Sequence, residues 1–394
     1  MSELTAHSPT SDCCPGTSKR LNYVDVAKGI AIFLVVLGHV LDHHRGAVGF
    51  SAYTDFYVYS FHVPFFFLLS GLVFRVHEDE SFYCFFKRKF LRLMVPYYCF
   101  GLIAIVVFSL ASYSPLHERL VKLNPDTGDA RFFQMLWNLL YGTRMEKLFF
   151  YKPIWFLSSL FSMQIITYFI IRISSFLELV SGDGLPKHQY ARKFSLFSFC
   201  LLFISLNVIQ FGFLYVELPM GLNGAIKYLP FFLIGLLFQE LILQSSCENR
   251  TWDSLLSLAF LAIGVIIYIC VCKGEYHKVL FTADHDLPVD VCLRYASAFF
   301  SSFGFLYLGK SLWDLWFLSL IGRNTLPILV VHNYLVLLTC VMGECSLPDP
   351  CLFLLYFLLA FLVTVIALWI GMLILRFFPF LFGQHHPISR SVCL

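Results

Sequence analysis

The sequence predicts an all-α protein, a polytopic membrane helical bundle of about ten transmembrane helices with both termini cytoplasmic. Composition is the first ground. Of 394 residues 58% are hydrophobic, 45 are Phe and only 13% are charged, with a mean hydropathy of +0.74. A soluble domain carries about 25% charged residues, so this chain has too little polar surface to stay in water. The second ground is the form of the apolar segments. They are continuous runs long enough to cross a bilayer, without the alternation that a membrane β-barrel requires. A helix satisfies every backbone group within its own span. The partner that composition implies is the lipid bilayer. The net charge of +3 with scattered basic residues makes no case for nucleic acid.

In chain order, residues 1–20 are polar, with Pro9, Pro15 and Gly16, and read as a disordered cytoplasmic tail with no cleavable signal peptide. Apolar runs then place spans near 24–43, 55–76, 93–112, 150–173, 194–214, 225–244, 254–272, 291–309, 319–341 and 352–376. An amphipathic piece, Trp313 to Gly322, leads into the ninth. Residues 21–378 form one membrane domain and 379–394 a short cytoplasmic tail. There is no soluble domain and no inverted repeat, so any chemistry belongs to the membrane part. Alternating the spans from a cytoplasmic N-terminus puts 17 of the 28 Lys and Arg inside and 11 outside, six of these in the long loop 113–149 and at Lys152 just after it, where the positive-inside bias is weaker. Most Cys residues lie inside apolar runs, where they act as small hydrophobes. Cys345 and Cys351 are the one pair placed for a disulfide in an outer loop.

The first span, LNYVDVAKGIAIFLVVLGHVLDHHR, carries Asp25, Lys28, His39 and Asp42. An ionised Asp or Lys at the centre of a membrane helix costs roughly 2.5–3.5 kcal/mol. Eleven residues at about 100° each bring His39 to within about 20° of Lys28's face, about 16 Å further along the axis. Asp25 and Asp42 fall near the same face, so the helix bears a polar stripe that must face protein or a wet cavity. The second span returns with His62 about 10 Å from its outer end, at a depth where it can meet His39. A neutral imidazole is a general base at physiological pH, and a carboxylate such as Asp42 orients it. The plainer alternative is a pair of histidines satisfied in a helix contact. Beyond the second span, Arg88 and Arg92 stand at i and i+4 among Lys87 and Lys89, on one face. That pair suits a diphosphate; a headgroup anchor is the plainer alternative. Nothing in these patterns calls for a metal.

These pieces in order resemble the acyltransferase 3 family of membrane O-acyltransferases. The resemblance rests on Lys28 to His39, on SFHVPFFFLLSG at 60–71 and on the Arg88/Arg92 pair. It continues with IWFLSSLF at 154–161, KYLPFFLIGLLF at 227–238 and IGRNTLPILVVHNY at 321–334. It looks most like the stand-alone sugar O-acetylase branch related to fucose 4-O-acetylase. The resemblance implies acyl transfer, acetyl first, from acetyl-CoA to a hydroxyl of a carbohydrate acceptor such as a cell-surface glycan. It further implies His39 as catalytic residue, His62 and Asp42 beside it, and Lys28, Arg88 and Arg92 at the CoA. Trp155, Asn324 and His332 match family positions without a physical role to assign from sequence. A bacterial inner (plasma) membrane location goes with this, and other glycan-assembly proteins or a second copy are further partners left open. The rival from another class is a transporter of a sugar or lipid-linked glycan, with the stripe as proton relay. A structural subunit leaves the buried charges without a use.

Overall fold

The computed structural model describes residues 21–43, 50–77, 79–111, 113, 132–142, 153–180, 188–213, 218–244, 249–272, 288–340 and 348–384. The tail 1–20, most of the loop 113–149, Cys345 and residues 385–394 lie outside them. All regular elements among the described residues are helical. They are α1 (Asn22–His43), α2 (Phe50–Leu72), α3 (Phe82–Lys89), a π-helical turn (Phe90–Met94), α4 (Val95–Ala111), α5 (Phe132–Tyr141), α6 (Trp155–Val180) and α7 (His188–Phe213). There follow α8 (Leu222–Leu237), α9 (Gln239–Gln244), α10 (Arg250–Cys272), α11 (Pro288–Ser311), α12 (Trp316–Arg323), α13 (Thr325–Cys340), α14 (Asp349–Phe377) and a 3-10 turn (Pro379–Phe382). Among the described residues six helices are long and apolar enough to cross a membrane, and seven if the bent pair α12–α13 is one span. The polytopic helical class read from composition is therefore the observed one.

Three places depart from a simple string of spans, each for a local reason. The third span begins earlier than its apolar core, at Phe82, where the Ser81 side chain accepts from the Cys84 N–H at 3.3 Å and caps α3. Pro96 has no N–H to give the carbonyl one turn back. The chain takes a π-helical turn just before it, with the Val95 N–H reaching back to the Phe90 carbonyl. Helix α8 ends at Leu237 and the chain restarts as α9, so the span expected over 225–244 is two pieces. The ninth span is broken: α12 and α13 meet at 84°. Pro327 cannot bond the Arg323 carbonyl, and the Asn324 amide closes α12 by donating to Leu320 O at 2.8 Å.

Helix α1 is the centre of the bundle. Its apolar window is 83% buried against 11% for α10, which lies at the periphery against α11. Around α1 stand α2, α11, α12, α13 and α14. Its contact with α12 is backbone on backbone. A Cβ added at Gly322 would sit 1.7 Å from Asp25 O, and one at Gly29 2.2 Å from Leu318 O. At the chain's end, Phe382 is buried and its ring lies 5.1 Å from that of Phe100. The packed body thus runs past residue 378, where the tail was expected to start.

Candidate functional site

Helices α1, α2 and α13 bring four ring side chains together. His39, on α1, is half-buried. The Tyr59 hydroxyl of α2 lies 2.9 Å from its Nδ1. Gly38 permits this approach: an added Cβ there would stand 3.3 Å from the Tyr59 ring. His62 follows Tyr59 on the same face of α2 at i+3, with the two rings edge to face at 4.9 Å. His332 of α13 stacks on His39 with centroids 5.3 Å apart and planes 25° apart. The sequence expectation that His39 and His62 face a common place thus meets a geometry in which Tyr59 touches both.

The backbone fixes the tautomers of two of these rings. A carbonyl only accepts, so His62 Nδ1–H donates to Val58 O at 2.8 Å and His332 Nδ1–H to Ile328 O at 3.0 Å. In the neutral ring the lone pair is then on Nε2. His62 is 5% exposed and His332 fully buried. His332 Nε2 has no hydrogen-bond partner among the described residues, at a cost of about 1–3 kcal/mol for such an acceptor. Asp42 lies one turn beyond His39, half-buried in the last turn of α1.

Towards the N-terminal end of α1 the polar stripe continues into a second layer. Asp25, 3% exposed, pairs with Arg323 at 3.3 Å. Asn22 takes hydrogen bonds from Ser319 at 2.6 Å and from Arg323 at 3.4 Å, and donates to the Trp313 carbonyl. Lys28 is half-buried on the same helix, one turn from Asp25. Behind this layer Lys310 and Asp253 form a buried pair at 3.4 Å.

The arginine pair sits elsewhere, on α3 and the π-helical turn, which packs on α6. Arg92 is exposed. Arg88 is held by Glu80: Nη2 lies 2.7 Å from Oε2 and Nε donates to Oε1 at 3.0 Å. The Glu80 carbonyl is itself clamped by Arg172 at 2.7 Å and the Tyr168 hydroxyl at 3.2 Å. Lys89 turns inward onto the Phe74 and Phe85 rings, at 5.0 and 5.4 Å. The face expected to be two free guanidiniums therefore includes one that already carries a carboxylate.

Sequence reading missed Tyr59, Glu80 and the placement of Arg323 and His332. Glu80 pairs across a turn, where helical periodicity gives no signal. Arg323 and His332 were signalled only by belonging to the 321–334 motif. No group of three or more His, Cys, Asp or Glu side chains arranged to hold a metal ion occurs among the described residues.

Fold and site together define an integral membrane protein with a histidine-centred site inside its helices. The sequence profile of the acyltransferase 3 family, described as an acyltransferase domain, matches residues 21–376. The chain belongs to that family and is, in general terms, a membrane acyltransferase. No characterised protein and no solved structure is similar enough to match it.

Proposed function

We propose that the chain is an O-acyltransferase of the sugar O-acetylase kind, moving an acetyl group from acetyl-CoA to a hydroxyl of a carbohydrate, in a cell-surface glycan. The observation that carries this is the half-buried His39 held between the Tyr59 hydroxyl and the His332 ring. In the tautomer with Nδ1–H directed at the Tyr59 oxygen, His39 Nε2 carries the lone pair and serves as the base. It takes the proton of the acceptor hydroxyl as the oxygen attacks the thioester carbon. Collapse of the tetrahedral adduct expels the CoA thiolate, which takes the proton from His39. His62 and Asp42 support the ring. Lys28, Arg88 and Arg92 hold the CoA phosphates, as charged donors do. Because Arg88 is bound to Glu80, the exposed Arg92 contributes more. In this reading the six long helices, the bent pair and three shorter apolar helices make ten crossings of a bacterial inner membrane, with both termini cytoplasmic.

His39→Ala should abolish acetyl transfer while the protein accumulates, folded, in the membrane; full activity in that variant sinks the proposal. Arg92→Ala should raise the KM for acetyl-CoA, and an unchanged value would reduce the arginines to a headgroup anchor. A transporter would leave acetyl-CoA intact and the glycan unlabelled in the same assay.

A further inference from the structure

We infer that His332 reads the acceptor: its Nε2 takes the hydrogen bond of a second hydroxyl, so that the substrate is a vicinal diol, as in a sugar ring or polyol. The inference rests on the acyl-transfer reading above and adds to it. A buried acceptor with a lone pair and no partner is disfavoured unless something fills it in the working protein. His332 Nε2 is such an atom, on a fully buried ring. Its Nδ1–H is committed to Ile328 O, so the neutral ring can only accept there. The ring stacks at 5.3 Å on His39, and His39 is half-buried, so a ligand that reaches His39 arrives beside His332.

The chemistry then limits what the ligand is. The hydroxyl that becomes acylated has one proton, and His39 takes it. A second lone pair one ring-stack away needs a second O–H donor on the same molecule. Hydroxyls on adjacent carbons supply two such donors at a spacing that two neighbouring imidazoles can receive. A simple alcohol leaves His332 unanswered, and a site built to bind a hydroxyl discriminates strongly against the analogue lacking it. His332 thereby also selects which of the two hydroxyls is presented to His39.

The test uses two substitutions that separate the ring's two nitrogens. In His332→Asn the amide keeps the donation to Ile328 O and removes the Nε2 acceptor. In His332→Gln an amide oxygen stands near the Nε2 position. In native membrane vesicles given radiolabelled acetyl-CoA, His332→Asn should lower the maximal transfer rate by about tenfold or more, and acetyl groups should scatter over neighbouring hydroxyls. The KM for acetyl-CoA should stay unchanged, and His332→Gln should regain rate and position. Wild-type rate and acetyl position in His332→Asn would overturn the inference, as would a rise only in the KM for acetyl-CoA. If His332→Asn fails to fold, a Gln variant that folds but transfers without positional preference overturns it as well. A second arm does not depend on turnover. In protein labelled with 15N-histidine, cis-cyclohexane-1,2-diol should shift the His332 Nε2 resonance and cyclohexanol should not. Equal shifts, or none, overturn the inference. Absence of any label transfer by the wild-type protein would instead remove the acyl-transfer reading, with the diol titration still deciding the fate of His332.

Discussion

Removing one oxygen atom tests the centre of the site. Tyr59→Phe keeps the ring that packs against His62 and deletes the hydroxyl on His39 Nδ1. Losing such a bond costs about 0.5–1.5 kcal/mol of stability, so the protein should accumulate normally. Acetyl transfer should fall about tenfold or more, because the hydroxyl that orients His39 through Nδ1 is gone and a misaligned imidazole is a poor base; unaltered transfer would show that Tyr59 only packs. The buried pair of Lys310 and Asp253 is a matter of stability instead. Lys310→Met alone should cost roughly 3–5 kcal/mol by stranding a buried carboxylate, whereas Lys310→Met with Asp253→Leu should recover most of it. Thermal unfolding in detergent measures both, and a double variant as unstable as the single would show that the two charges act separately. Residues of this kind were unequally legible in the sequence. His39 and His62 announced themselves because a titratable ring in an apolar run is expensive. Tyr59 did not, since in DFYVYSFHV one tyrosine among several aromatics carries no mark of which one turns inward. Asp253 and Lys310 lie 57 positions apart, so only the packing of α10 on α11 beside α1 makes them partners.

At the scale of helices, two glycines, one on α12 and one on α1, separate stability from catalysis. Gly322 of α12 lies on the α1 backbone, with an added Cβ at 1.7 Å from Asp25 O, and a carbonyl cannot turn aside as a side chain does. Gly322→Ala should push α12 off α1, loosening Ser319 and Arg323 from Asn22 and Asp25. Overpacking of this kind costs typically 1–3 kcal/mol, read as a lower melting temperature and lower yield; wild-type stability would mean that the α1–α12 contact is not a tight one. Gly38→Ala meets side chains alone, the edge of the Tyr59 ring at 3.3 Å and Val58 Cγ1 at 3.4 Å. That variant should melt nearly as the parent does but lose transfer, because the ring that shifts is the one bonded to His39. The sequence showed where most helices lie, since continuous apolar runs specify them. It did not show that the ninth span bends by 84°. Pro327 and Asn324 mark a break locally, but the direction α12 takes from it is set by where two glycines let backbones touch.

For the molecule as a whole, the bent pair decides the topology. If α12–α13 crosses the membrane as one broken span, the alternation of elements returns α14 to the side on which α11 began. Cys292, in the first turns of α11, and Cys351, in the first turn of α14, then share a side. If the pair dips in and returns, they are on opposite sides. Both thiols are exposed, as is Cys84 at the start of α3. Single-cysteine variants in a cysteine-free background make the measurement direct, using a membrane-impermeant maleimide on right-side-out and inverted vesicles. With cytoplasmic termini, Cys84 should label only in inverted vesicles, and Cys292 and Cys351 only in right-side-out ones. Labelling of Cys292 and Cys351 from opposite faces would make α12–α13 re-entrant. Labelling of Cys84 from outside would invert the bundle and contradict the excess of Lys and Arg assigned to the inner side. The result also bears on the chemistry. His332 lies on α13 and His39 on α1, so a crossing pair lets the stacked rings sit between the CoA side and the acceptor side. A re-entrant pair opens them to one side only, and donor and acceptor would then have to enter from the same face.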